Sequence, residues 1–150
     1  MPNWCENTVH VSKEGNIEQF EKLCKLLDGP DPFNAIFPMP DFDTIPNDKG
    51  EFSTEILHRD DNGEVDCAYW QFPDGEPDNR RTHWCDNNWG TKWDMCNKDS
   101  HIREDSADFI FSTAWGPPVG IYEKIYENFP NIKMHWYFNE PNMEFEGYLQ

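Results

Sequence analysis

The sequence predicts an α+β domain in which two helices cover one face of an antiparallel sheet. Three observations predict this class. Two amphipathic helices are visible near the two ends of the chain, segments rich in β-forming residues flank them, and the block 31–81 between them shows no steady periodicity. With 150 residues, 15% of them aromatic, the chain is large enough to bury a core, so we expect a single domain over residues 1–150.

The first strand and helix are predicted from the N-terminal part of the chain. Thr8–Ser12 alternate apolar and polar side chains, which is typical of a half-buried strand. Asn16 can then cap a helix, because apolar residues recur after it at helical spacing. These apolar residues are Ile17, Phe20, Leu23, Cys24 and Leu27. Gly29 and Pro30 end the helix, since proline cannot continue it.

The block 31–81 is predicted to be an acidic, partly ordered insertion within the domain. Six prolines interrupt it, and a structureless loop of this length is unusual inside a compact domain. Between Asp41 and Asp66 it has nine acidic residues against Lys49 and Arg59. Within it, Cys67–Phe72 is predicted to form either one strand or a helical turn.

The rest of the chain predicts four strands and a helix. The strands are Trp84–Met95, Asp108–Trp115, Ile132–Phe138 and, after a turn at Asn139–Asn142, Met143–Leu149. Pro117 and Pro118 begin the helix. Its predicted buried face comprises Val119, Tyr122, Ile125, Tyr126 and Phe129. Without the insertion the order is β-α-β-β-α-β plus one terminal strand, which is a ferredoxin-like sandwich.

The charge of the chain restricts its partners. A formal net charge of −17 disfavours direct binding to nucleic-acid phosphates or to an anionic membrane, because both require a basic face. No apolar run reaches the roughly 20 residues of a membrane span, and the N-terminus does not resemble a secretion leader. The five cysteines are an odd number without framework spacing, which favours reduced thiols. We therefore expect a soluble protein in the bacterial cytoplasm.

Three tryptophan-containing motifs stand out from the rest of the sequence. They are PNWCEN (2–7), NWGTKWDM (88–95) and TAWGPP (113–118). In combination they resemble the YubB-like family of phage and plasmid proteins, a ferredoxin-like domain of unknown function. The resemblance covers Met1–Leu27 and Trp84–Gly147. It implies the ferredoxin-like fold and an origin in a mobile element, and it supplies no catalytic residues.

The tryptophan motifs suggest a ligand site. On a strand, Trp89 and Trp93 would share one face, with Thr91 between them and Gly90 and Lys92 opposite. Tryptophan rings beside asparagines and a lysine could stack on a planar ring and bind an anionic group. The candidate ligand-binding residues are Asn3, Trp4, Asn7, Trp89, Gly90, Thr91, Lys92, Trp93, Asp94 and Trp115. In the structural alternative the tryptophans build the core, Gly90 marks a bulge, and Asp94 or Asn7 hydrogen-bonds backbone.

A metal site and an enzyme active site are both less well supported. His83, Cys85, Cys96 and His101 have the right ligand types for zinc, but only one residue separates the first two, whereas structural pairs usually have two to four between them. We therefore predict no metal and no other cofactor. The chain has no phosphate-binding loop and no dinucleotide fingerprint. Pro2 as an N-terminal base is disfavoured, because residues 3–7 separate it from the predicted strand.

The acidic surface points to a protein partner. The candidate partner-binding residues are Asp41, Asp43, Asp48, Glu51, Asp60, Asp61, Glu64 and Asp66. The sequence predicts a non-enzymatic binding protein of a phage or other mobile element that inhibits a basic host protein, with nucleic-acid mimicry as the sharpest form of the hypothesis. Two alternatives remain open: a protein that binds a nucleotide-like small molecule, and a structural domain of a larger phage assembly.

Overall fold

A computed structural model of the protein describes residues 3–150, so Pro2 lies outside the described residues. The strands are β1 (Trp4–Ser12), β2 (Thr54–Arg59), β3 (Val65–Gln71), β4 (Cys96–Ile102), β5 (Ser106–Ala114), β6 (Lys133–Glu140) and β7 (Phe145–Tyr148). The helices are α1 (Ile17–Asp28), α2 (Pro32–Ile36), α3 (Arg80–Asn88) and α4 (Val119–Asn128). Short 3-10 turns cover Phe42–Thr44 and Pro141–Met143.

The chain forms two compact units. The first, which we call the sheet unit, comprises the residues up to Pro38 together with Trp84–Gln150. The second, which we call the acidic unit, comprises Met39–His83. The predicted insertion 31–81 thus contributes residues 31–38, including α2, to the sheet unit, and all of the remainder belongs to the acidic unit.

The sheet unit has the predicted ferredoxin-like fold. Its five strands are ordered β4-β5-β1-β6-β7, and all neighbouring strands are antiparallel. The first strand of the β-α-β-β-α-β order therefore lies in the centre of the sheet. The predicted extra strand is present as β7, which adds one edge beside β6.

Strict alternation along β1 places the core on one face of the sheet. Val9 and Val11 are fully buried, whereas the intervening residues face outward. Val9 lies opposite Phe109 of β5 on one side and Trp136 of β6 on the other. Helices α1, α2 and α4 supply further buried side chains, which include Phe20, Leu23, Leu27, Phe33, Ile36, Ile121 and Ile125.

The predicted first helix and its ends are confirmed. Asn16 accepts a hydrogen bond through Oδ1 from the Gln19 amide at 2.9 Å, so it caps α1 as predicted. At the other end, the amide of Gly29 donates to the carbonyl of Leu26. β1 begins at Trp4, four residues earlier than predicted, so residues 4–7 of the first tryptophan motif belong to the central strand.

The predicted strand Trp84–Met95 is wrong. Its first part lies in α3, and residues 89–95 form turns. The amides of Trp89 and Gly90 both donate to the carbonyl of Cys85, and Gly90 has a left-handed φ of 88°. Gly90 is therefore a helix-terminating glycine and not a strand bulge. The second strand of the β-α-β-β-α-β order is instead β4. Its sequence, CNKDSHI, is mostly polar and exposed and shows no alternation of apolar and polar residues.

The buried face predicted for α4 is correct only in part. Ile125 is fully buried, but Val119 is exposed and Ile121 takes the central position in the core. Val119 is the first residue of the helix. The buried positions are those of Ile121 and Ile125, which lie one turn apart on the same face of the helix.

The acidic unit contains a two-stranded hairpin. β2 pairs with β3 antiparallel, and the turn between them is closed by hydrogen bonds from the Asp60 amide to the Glu64 carbonyl and from the Gly63 amide to the Asp60 carbonyl. Of the two structures proposed for Cys67–Phe72, the strand is present.

Candidate functional site

The second and third tryptophan motifs meet backbone against backbone. Gly120, which follows TAWGPP by two residues, donates its amide to the Trp89 carbonyl at 3.0 Å. A Cβ on Gly120 would collide with the Asn88 carbonyl, and a Cβ on Gly90 would lie 3.0 Å from the Val119 amide nitrogen. The glycines therefore permit a close approach of the end of α3 to the start of α4, which is a structural role.

Thr91 ties this junction to the sheet. Its side chain is fully buried, and its hydroxyl both donates to the Ala114 carbonyl and accepts from the Ala114 amide, each at 3.1 Å. The hydroxyl thus satisfies the last backbone groups of β5, in place of a neighbouring strand. Thr91 is therefore unavailable to an external ligand.

Trp89 is a core residue. It is 3% exposed, and its indole N–H donates to the carbonyl of Phe37 at 2.8 Å. Its ring meets Phe33 and Trp84 edge-on, with centroids 5.8 Å apart in both pairs. For Trp89, burial with a satisfied N–H supports the structural alternative and leaves no face for stacking on a ligand.

Asp94 holds the start of α2. Its two carboxylate oxygens accept hydrogen bonds from the amides of Phe33 at 2.9 Å and Asn34 at 3.0 Å, and one of them also accepts from the Met95 amide at 2.8 Å. A carboxylate that accepts three backbone hydrogen bonds is a structural cap.

Asn7 is the centre of a buried polar network in the sheet. Its Nδ2 donates to the Thr113 hydroxyl at 2.9 Å and to the Cys5 carbonyl at 3.2 Å, and its Oδ1 accepts from the Trp136 indole at 3.0 Å. Burial raises the pKa of the Cys5 thiol to about 11, and the charge of Glu140 adds to the effect. Asn7 and Cys5 are therefore structural, and Cys5 is a poor nucleophile.

Three tryptophans remain at the surface, and we call them the tryptophan surface: Trp4, Trp93 and Trp115. Trp93 is 43% exposed and Trp115 is 48% exposed. The rings of Trp4 and Trp93 lie 6.2 Å apart. Trp115 has a left-handed φ of 72°, and its amide donates to the Asn3 carbonyl at 2.8 Å.

Lys92 is the cation of the NWGTKWDM motif. Its side chain is exposed, and within residues 3–150 it forms no hydrogen bond or ion pair. Six of the ten candidate ligand residues are at least partly accessible at the surface and have no side chain committed to the hydrogen bonds described above. They are Asn3, Trp4, Gly90, Lys92, Trp93 and Trp115.

The acidic candidates all lie in the acidic unit, and seven of the eight are exposed. Asp60 accepts hydrogen bonds from two amides of the hairpin turn, so it has a local structural role. Asp66 lies 3.4 Å from His58, and Asp43 lies 3.8 Å from Arg81. Four of the candidates form no hydrogen bond or ion pair through a side-chain oxygen within residues 3–150: Asp41, Asp48, Asp61 and Glu64. Glu51 is half-buried.

The centre of the acidic unit was missed by the sequence analysis. Asp78 is buried and forms a 2.9 Å ion pair with Arg80, and its other oxygen accepts from the Ser53 hydroxyl at 2.6 Å. Burial by itself would raise the pKa of the Asp78 carboxyl, but the hydrogen bonds from Arg80 and Ser53 outweigh burial and hold the pKa at about 2.

Two arginines connect this carboxylate to aromatic rings. The Arg80 guanidinium donates to the carbonyls of Phe42 and Ile45 and lies between the rings of Phe42 and Phe72, at 5.2 and 5.3 Å from their centroids. The Arg81 guanidinium lies 3.6 Å from the Trp70 ring centroid. In the sequence, the one feature that could have indicated this cluster is the pair of consecutive arginines two residues after Asp78. No hydrophobic periodicity marks it.

The four residues considered for zinc have separate roles. Burial raises the pKa of the Cys85 thiol to about 11 and also raises that of Cys96, and in both cases the charge of Asp94 contributes. His101 lies 3.1 Å from Asp99, and His83 is exposed on α3. Among residues 3–150, no three histidine, cysteine, aspartate or glutamate side chains are grouped so that they could hold a metal ion.

The β2–β3 hairpin leaves apolar side chains at the surface. Ten of its thirteen strand residues are exposed, and Leu57, Val65 and Tyr69 each retain 45–50% of their surface. A two-stranded hairpin has marginal stability in water by itself. The acidic unit therefore presents apolar and acidic side chains together. As for membranes, none of the helices in residues 3–150 has both the length and the apolar character that a span requires.

Comparison with known proteins supports the fold. Residues 88–150 match a family model described as a ferredoxin-like domain in Api92-like protein. The chain matches no curated protein and no solved structure. The matched region contains NWGTKWDM, TAWGPP, α4 and four of the five strands of the sheet, so the C-terminal part of the sheet unit is similar to a ferredoxin-like domain of unknown function.

Proposed function

We propose that the chain is a non-enzymatic binding protein whose acidic unit engages a basic partner protein. The observation that carries the proposal is the β2–β3 hairpin. Its strands expose apolar side chains, and its turn carries Asp61 and Glu64, whose carboxylates form no hydrogen bond or ion pair within residues 3–150. Exposed apolar side chains rimmed by charge are typical of protein interaction sites.

The charge distribution supports the same unit. Residues 39–83 contain twelve acidic residues against four basic residues. Two of those four, Arg80 and Arg81, are committed to the internal cluster around Asp78. The outer surface of the acidic unit is therefore more negative than its composition suggests, and a basic partner would be attracted to it at low ionic strength.

The finer form of the proposal concerns the biological setting. The resemblance of the three motifs to the YubB-like family favours a phage or other mobile element. In that setting the partner would be a basic host protein in the bacterial cytoplasm, such as one that binds nucleic acid, and the acidic unit would occupy its basic surface as an inhibitor.

The experiment is a pull-down from host lysate with three chains of defined charge. The test variant carries Asp41→Asn, Asp61→Asn and Glu64→Gln, which remove three exposed charges that form no side-chain hydrogen bond or ion pair among the described residues. The matched control removes three exposed charges from the sheet unit, through Glu21→Gln, Asp86→Asn and Glu123→Gln. Partners are identified by mass spectrometry at low and at moderate salt.

The proposal expects one stoichiometric basic protein that is captured by wild type and by the control, weakened in the test variant, and released at moderate salt. Equal capture by all three chains, or capture that does not change with salt, would contradict it. A Leu57→Ser variant then separates the apolar contribution from the charge, since Leu57 is exposed and its replacement leaves the charge unchanged.

A second candidate function is suggested by the tryptophan surface. Three partly exposed indoles and the exposed Lys92 could hold a nucleotide-like ring and its phosphate. A bound nucleotide would raise the melting temperature of wild type by mass action. Trp93→Ala should abolish that shift without changing the fold; the idea fails if a nucleotide panel gives no shift with wild type.

A further inference from the structure

The sheet face opposite the helices carries a row of titratable side chains across four strands. His101 of β4 lies opposite Asp108 of β5, Asp108 lies opposite His10 of β1, and His10 lies opposite His135 of β6. All four belong to the sheet unit. The proposed binding through the acidic unit does not use this face.

His10 is held in one orientation by a carboxylate. Its Nδ1 lies 2.7 Å from Asp108 Oδ1, and the other oxygen of Asp108 accepts from Arg103 Nη1 at 2.6 Å. A proton on Nδ1 that is donated to Asp108 leaves Nε2 as the free lone pair. Carboxylates behind metal-binding histidines act in the same way, since they fix the tautomer and raise the basicity of the ring.

His135 completes a pair with His10. Directly opposite residues of antiparallel strands have Cβ atoms about 4.5–5.5 Å apart and project from the same face. His135 is exposed and forms no hydrogen bond or ion pair within the described chain, while the His10 side chain keeps 45% of its surface. Two accessible imidazoles at this separation can reach one ion from the same side.

We propose that His10 and His135 bind one divalent transition-metal ion, with Asp108 as the positioning residue behind His10. Imidazole nitrogen favours Ni²⁺, Cu²⁺ and Zn²⁺ over Mg²⁺ or Ca²⁺. Since no group of three ligating side chains occurs within residues 3–150, solvent completes the coordination and the ion exchanges readily. The net charge of −17 raises the local concentration of cations around the chain.

The test is calorimetric titration of the untagged full chain with Ni²⁺. All chains carry Cys67→Ser, because Cys67 is an exposed thiol that lies opposite His58 on the hairpin and could bind the ion separately. Three further variants are compared in that background: His135→Gln removes a ligand, Asp108→Asn removes the orienting charge, and His101→Gln is the matched control on the same face.

The proposal expects one Ni²⁺ per chain. Asp108→Asn should weaken binding about 10- to 100-fold, as is typical for groups that orient metal ligands. His135→Gln should weaken binding at least as much. His101→Gln should leave binding unchanged. The absence of binding, or binding that His101→Gln weakens and His135→Gln does not, would overturn the assignment. Because these residues lie outside the acidic unit, either result is independent of the partner pull-down.

Discussion

The two units of this chain are stabilised by different kinds of core. In the sheet unit, apolar side chains such as Val9, Leu23 and Phe109 are completely buried between sheet and helices. In residues 39–83, only Ser53 and Asp78 are buried, and no apolar side chain is. The interior of the acidic unit is instead an ionic cluster of Asp78, Arg80 and Arg81 with aromatic rings around it.

The difference shows how an acidic, apolar-poor segment can be ordered. Apolar burial contributes roughly 25 cal/mol per Å² and depends little on pH or salt. A carboxylate–guanidinium cluster contributes through directional contacts that require one protonation state. The sheet unit should therefore withstand changes of pH and ionic strength that open the acidic unit.

Phe109→Ala should have the largest effect. Phe109 is fully buried in the centre of the sheet, and removal of such a ring costs about 3–5 kcal/mol in the free energy of unfolding. Urea denaturation followed by far-ultraviolet circular dichroism measures the loss. A cost below about 1 kcal/mol would show that the sheet unit does not depend on this core.

Asp78→Asn should destabilise the acidic unit selectively. The substitution removes the charge that faces Arg80, and hydrogen bonds to charged groups contribute about 1.5–3 kcal/mol. Native-state hydrogen exchange at the Phe72 amide, which donates to the Glu76 carbonyl, reports on this unit.

The matched control for that substitution is Asp74→Asn, which removes the charge of an exposed partner of Lys49 and should reduce protection far less, because solvent screens an exposed ion pair. Equal loss of protection in the two variants would mean that the buried carboxylate has no special role.

Arg81→Lys should cost about 1 kcal/mol in the stability of the acidic unit. Lysine keeps the positive charge but loses the planar stacking of the guanidinium over Trp70. The readout is again exchange at the Phe72 amide. Arg59→Lys is the control, because Arg59 makes one exposed hydrogen bond to the Gly63 carbonyl; the stacking argument fails if both variants behave alike.

Lys92→Ala should have the smallest effect on stability, within about 0.5 kcal/mol, because Lys92 is exposed and forms no hydrogen bond or ion pair within residues 3–150. Urea denaturation tests this. A larger loss would assign Lys92 a structural role and remove the motive for the second candidate function.

Much of the sheet unit could be predicted because its signals are local. The alternation along β1, the Asn16 cap and the Gly29-Pro30 stop each depend on a few neighbouring residues. The position of β4, the second strand of the ferredoxin-like order, could not be predicted in this way. Residues 84–95 combine aromatic rings with a glycine, and the close approach of Gly90 to Val119 and Gly120 involves a distant part of the sequence.

The composition of the tryptophan motifs is visible in the sequence, but their geometry is not. Trp89, Thr91 and Asp94 are committed to Phe37, Ala114 and the start of α2, so whether the remaining motif residues bind a ligand stays a prediction. Such contacts join residues that are 23 to 61 positions apart, and no periodicity indicates them. The Asp78 cluster was missed for the same reason, since Arg80 bonds with carbonyls near residue 45.

The most direct test of the contrast is an acid titration followed by ¹H–¹⁵N NMR from pH 6 to pH 2. The folded pKa of Asp78, about 2, lies below its ordinary value of 3.8, so its contribution is present above pH 3.8 and is lost as the pH falls towards 2. We expect the Phe72 amide to lose its folded position in that interval while the Val9 amide keeps its own. Simultaneous loss of both signals, or a Phe72 signal that persists at pH 2, would contradict the account.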